Sequence, residues 1–81
     1  MPQTLDILSN CDIDHELRLT DDTFYIYFDS EEEREEAKRP PLLRAIALEA
    51  YEINRAVEYI VFCCGEKKLK RTVGSIFDGN R

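Results

Sequence analysis

The sequence predicts an α+β fold: an N-terminal β-hairpin packed on a long central α-helix, with a short acidic helix before that helix and a short C-terminal element after it. Three observations carry this expectation. Residues His15 to Phe28 alternate apolar and polar positions around Asp21-Asp22. Ser30 is followed by a run of glutamates that has the form of a helix start. Residues Leu42 to Cys64 contain no Gly and no Pro and repeat apolar residues at helical spacing. The same residues admit an alternative, a single-sheet β-β-α-β-β domain, if the stretch from Val57 to Phe62 is strand rather than helix. At 81 residues the chain is one domain, 1–81. A chain of this size buries only about 60% of its unfolded surface, so self-association would add useful burial.

Residues 1–14 are ambiguous: Leu5, Ile7 and Leu8 suit a strand or a helical turn capped by Thr4, and Asn10-Cys11-Asp12 suits a loop. The hairpin is better defined. With Asp21-Asp22 as a two-residue turn, Leu19 pairs with Phe24, Leu17 with Ile26 and His15 with Phe28 on one face. Arg18 then pairs with Tyr25 and Glu16 with Tyr27 on the other, and a one-residue slip would scatter the aliphatic face. The Arg18–Tyr25 pair is placed for a cation–π contact.

Ser30 and Glu33 form a capping-box pattern, and Glu31, Glu32 and Glu33 occupy a first turn where the helix dipole favours negative charge. This helix is expected to reach about Lys38. Arg39-Pro40-Pro41 breaks it, and a new helix starts at Pro41 or Leu42. Leu43, Ile46, Ala50, Ile53, Val57, Ile60 and Cys64 form one seam of that helix, and Leu48, Tyr51, Tyr59 and Phe62 form a second. The helix is expected to run to Cys64, with Gly65 as its stop. The composition of Val57 to Phe62, rich in β-branched and aromatic residues, is the argument for the strand alternative. After Gly65, residues Leu69, Val73, Ile76 and Phe77 share a helical face, although Gly74-Ser75 weakens it. Asp78 to Arg81 are expected to fray.

The charge is asymmetric. The whole chain carries −6; residues 1–39 carry −8 and residues 40–81 carry +2. The acidic half repels nucleic acid and anionic lipid and attracts basic surfaces. No uncharged apolar run is long enough to span a membrane, and the first residues lack the basic and apolar regions of a signal peptide, so a cytoplasmic location is the default expectation. Three cysteines, two of them adjacent, are a poor disulfide framework.

No catalytic constellation emerges, and an enzyme is not expected. Cys11, His15, Cys63 and Cys64 are soft ligands, but their spacing does not suit a zinc site. Asp12-x-Asp14-x-Glu16 lacks the glycine of a calcium loop, with Leu17 in its place. No metal or cofactor is expected. The first functional expectation is therefore a small acidic, non-enzymatic interaction module, a dimeric regulator or inhibitor of another protein. By analogy of size and charge, phage and mobile-element inhibitors of nucleic-acid enzymes are of this kind. Its partner-binding residues would be Glu32, Glu35, Glu36, Asp21 and Asp22, carboxylates that attract a basic surface. The second apolar seam, Leu48, Tyr51, Tyr59 and Phe62, would form the homodimer interface. Tyr25, Tyr27, Tyr51 and Tyr59 also suit an interface, where tyrosine is enriched. The alternative is a dimeric nucleic-acid-binding regulator using the basic segment Lys67, Lys68, Lys70 and Arg71.

Overall fold

The computed structural model describes residues 4–78. The expected fraying beyond Asp78 lies outside the described residues. The fold is α+β, with, among the described residues, a four-stranded sheet and four helices in the order α1 (Asp6–Asn10), β1 (His15–Leu19), β2 (Thr23–Phe28), α2 (Glu31–Ala37), α3 (Pro40–Ile53), β3 (Tyr59–Cys64), β4 (Lys67–Thr72) and α4 (Val73–Phe77). The strands lie in sequence order. β1 and β2 are antiparallel, β2 and β3 parallel, and β3 and β4 antiparallel. The chain is thus two hairpins whose inner strands are joined by a crossover through α2 and α3.

The β1–β2 hairpin has the register that the alternation predicts: His15, Glu16, Leu17, Arg18 and Leu19 oppose Phe28, Tyr27, Ile26, Tyr25 and Phe24. The Thr20 amide donates to the Thr23 carbonyl at 3.0 Å, closing a two-residue turn on Asp21-Asp22. Ser30 caps α2, with its hydroxyl accepting from the Glu33 amide and donating to the Glu33 carboxylate, each at 3.2 Å. Pro40 occupies the first position of α3, where its missing N–H leaves nothing unsatisfied.

The long helix stops at Ile53 rather than Cys64. Asn54 adopts an extended backbone, and its side-chain oxygen accepts from the Ala56 amide at 3.0 Å. This local bond competes with another helical turn. Its amide group also donates to the Asp21 carbonyl at 3.2 Å, pinning the end of α3 to the first hairpin turn. Residues Tyr59–Cys64 then enter the sheet. β3 is a central strand with apolar residues buried on both sides, so its sequence reads as an almost continuous apolar run. Such a run satisfies helical spacing as readily as strand spacing, which explains the false seam. Gly65, with φ +59°, is the first residue of the β3–β4 turn and not a helix stop; this position of a tight hairpin turn favours glycine. The segment after it likewise divides, with Lys67–Thr72 as strand and Val73–Phe77 as a helical turn capped by the Thr72 hydroxyl.

All four helices contribute buried residues to one core. Leu17, Phe24, Ile26, Phe28, Ile60 and Phe62 point into it from the sheet, and Leu5, Leu8, Ala37, Leu43, Ile46, Ala47, Ala50, Val73 and Ile76 meet them from the helical layer and its flanks. The Phe28 and Phe62 rings are parallel, with centroids 6.3 Å apart. The helices therefore lie on one side of the sheet. The side chains of alternate register point away from them.

Candidate functional site

The sheet face away from the helices follows from the register. One row across it is Arg18, Tyr25, Val61 and Lys70; the next is Glu16, Tyr27, Cys63 and Lys68; a third holds Thr23, Tyr59 and Thr72. Val61 and Cys63 are buried yet lie outside the main core. They form the low central floor of this face, between tyrosines on β2 and lysines on β4. Tyr25 and Tyr59 are half-buried, and Tyr27 is exposed. The Lys70 Nζ lies 4.0 Å from the Tyr59 ring centroid. The Arg18 guanidinium lies over Tyr27, at 6.0 Å, rather than over its register partner Tyr25. The face thus carries three aromatic rings, three cations and Glu16. A shallow depression of about 470 Å³ at its β1 corner is lined by Glu16, Arg18, Tyr27, Phe28 and Asp29.

Strand periodicity divides the basic segment. Lys68 and Lys70 point to the open face, whereas Lys67, Leu69 and Arg71 take the helix side. Lys67 Nζ is 3.2 Å from Glu31. The segment is therefore two surfaces and not one patch.

The acidic residues are similarly divided. Asp21 and Asp22 occupy the turn that precedes β2, and α2 follows its far end. Within α2, the Arg34 guanidinium contacts Glu31 at 2.8 Å and Glu35 at 3.1 Å, and Lys38 contacts Glu35 at 2.8 Å. The hydrogen bond from Lys38 holds the Glu35 carboxyl below its ordinary pKa. Glu33 accepts from the Asp14 amide and caps its own helix. Glu32 and Glu36 remain as exposed carboxylates of the cluster.

The four residues of the second apolar seam do not share a helix. Leu48 and Tyr51 are exposed on α3 beside Ile53, which belongs to the first seam by spacing but is 49% exposed. Tyr59 lies on the open sheet face, and Phe62 is fully buried in the core. The sequence reading missed that Tyr25, Tyr27 and Tyr59 come together with Lys68 and Lys70. Strand alternation in β3 and β4 was the available sign, and it is hidden once Tyr59 is read as helical.

His15 and the cysteines are separated in role. The Leu5 amide donates to His15 Nε2 at 2.9 Å, and His15 Nδ1 lies 2.9 Å from the Ile13 carbonyl. An Nδ1-protonated, neutral ring satisfies both contacts. The Glu49 carboxylate accepts from the Asp6 and Ile7 amides at 2.6 and 3.0 Å, capping α1 from α3. Cys11 is exposed beyond α1, Cys63 sits in the floor of the open face, and Cys64 ends β3. Burial pushes the Cys63 thiol up, against its thiolate form. Among the described residues, no group of three or more His, Cys, Asp and Glu side chains is placed to hold a metal ion. No described helix is long and apolar enough to cross a membrane.

Comparison of the chain with protein-family models, with curated proteins and with solved structures finds no match.

Proposed function

We propose that this protein is a non-enzymatic interaction module whose partner binds the open face of the sheet. The observation that carries this reading is the placement of Tyr25, Tyr27 and Tyr59 on the two central strands, bordered by Arg18, Lys68 and Lys70, opposite the face covered by the helices. Aromatic rings with polar ends suit a surface that is wet when free and buried when bound. The engagement of His15 with two backbone groups and the raised pKa of Cys63 support a binding role over nucleophilic catalysis.

The acidic-surface reading, an inhibitor that presents carboxylates to a basic protein, draws on Glu32 and Glu36. It is the weaker reading because Glu31 and Glu35 are already paired to cations of the same chain. Amide chemical-shift mapping separates the two. Isotope-labelled protein is mixed in turn with the protein and nucleic-acid fractions of an extract from the source cells. Shifts concentrated in β2, β3 and β4 are expected; shifts confined to α2 would replace this reading with the acidic one.

A further inference from the structure

We infer that the occupant of the open face is a single-stranded nucleic acid, its bases stacked on Tyr25, Tyr27 and Tyr59 and its phosphates aligned along Lys68 and Lys70. This rests on the proposed use of that face and names the partner. Sequence-tolerant recognition of single strands combines aromatic platforms with a cationic track for the backbone. Both parts are present here, and they are arranged across the strands. The lysines lie on β4, the tyrosines on β2 and β3, and the small residues Val61 and Cys63 lie between. Neighbouring strands are about 4.8 Å apart, so β4 and β2 are separated by roughly 10 Å. That spacing lets a base reach inward from a phosphate held at the β4 edge.

The acidic residues set the direction of binding. Glu16 and Asp29 line the β1 corner and would repel phosphate there. The backbone therefore follows β4, with the bases pointing towards β2. Lys70, now over the Tyr59 ring, must swing outward to meet a phosphate, exposing the ring to a base. A duplex does not fit this arrangement, because its bases are already stacked and their faces hidden. Three rings accommodate about three nucleotides.

The net charge of −6 does not forbid this. Five of the seventeen carboxylates lie on α2, which packs on the other side of the sheet, and the molecule measures 30 × 27 × 25 Å. Charges are screened over about 8 Å at physiological ionic strength and over roughly 14 Å at about 50 mM salt, both shorter than the span of the molecule. A strand on the open face is thus governed mainly by Arg18, Lys68 and Lys70, with Glu16 and Asp29 at the β1 corner and Glu58 beside Tyr59 as the nearby carboxylates.

The test is fluorescence anisotropy with labelled 12-nucleotide single-stranded DNA and RNA of mixed sequence, with the matching duplexes and heparin as competitors, at about 50 mM salt. Single strands are expected to bind and to resist competition by duplex. A logarithmic salt slope of about −1.5 to −2 is expected if two or three phosphates are neutralised. Tyr27→Ala should weaken binding about tenfold or more, Tyr27→Phe should retain it, and Lys68→Ala with Lys70→Ala should abolish it, with thermal melts showing that each variant folds. Heparin or duplex binding as well as the single strands, or equal binding by Tyr27→Ala, would overturn the inference. No binding by protein at ~100 μM would also overturn it. If shift mapping still places a protein partner on β2 to β4, the open-face reading survives and only its nucleic-acid occupant is lost.

Discussion

Glu35 is an exposed carboxylate that serves two cations of its own helix, Arg34 at 3.1 Å and Lys38 at 2.8 Å. Its pKa is lowered in the folded chain, so the folded state holds the ionised form more strongly than the unfolded state does. The resulting stability is present above the unfolded carboxylate pKa and is lost as pH falls through the lower folded value. Glu35→Gln is therefore expected to lower the melting temperature slightly near neutral pH. Melts of both proteins between about pH 7 and pH 3 should converge towards the acid end; a gap that persists there would assign the effect to packing instead. The size of the effect is small because the group is open to solvent, where ion pairs are weak. Gly65 shows a different kind of residue constraint. An added Cβ would meet nothing within 4 Å, so the requirement for glycine comes from its positive φ and not from space. The sequence reading of Gly65 as a helix stop fails because a helix end and a hairpin turn use the same backbone state, and here it serves the turn.

At the scale of elements, Arg34 fastens α2 to the sheet. Its side chain is buried; Nε donates to the Phe62 carbonyl of β3 at 3.2 Å, while the rest of the guanidinium meets Glu31 and Glu35. Arg34→Ala removes a charged donor to the Phe62 carbonyl along with the packing of its stem. A loss of about 2 kcal/mol is expected in urea denaturation, a charge-assisted hydrogen bond contributing roughly 1.5–3 kcal/mol. Glu31 and Glu35 can turn to water, which keeps the cost below that of stranding a buried charge. A loss under ~0.5 kcal/mol would show that α2 is held by its capping and by Ala37 alone. The first hairpin and α2 were legible in the sequence because their determinants are local: alternation, a short turn and a capping serine. The end of α3 was not, because Asn54 acts through a bond to the hairpin turn and β3 is identified by neighbours on both sides. The open face was illegible for the same reason. Its tyrosines and lysines come from three strands, and only the parallel pairing of β2 with β3 aligns them.

For the molecule as a whole, ending α3 at Ile53 removes most of the ground on which the sequence suggests a dimer. Phe62 is satisfied within the chain, and Leu48, Tyr51 and Ile53 are the exposed apolar remainder of α3. Three side chains fall well short of the ~1,000 Å² expected of a specific interface. Sedimentation at ~100 μM should give the mass of a single 81-residue chain, and a two-chain mass would restore self-association as part of the design. The central β2–β3 pair has a further consequence, for the order in which the chain acquires its shape. Each hairpin closes through a turn of two residues, but Thr23 and Tyr59, partners across the parallel pair, are 36 positions apart in sequence. Closing that separation carries an entropic cost that neither hairpin meets alone, and parallel pairing is slow for this reason. The β2–β3 pair is therefore the costliest closure in the sheet, and α2 and α3 occupy the length of chain that it spans.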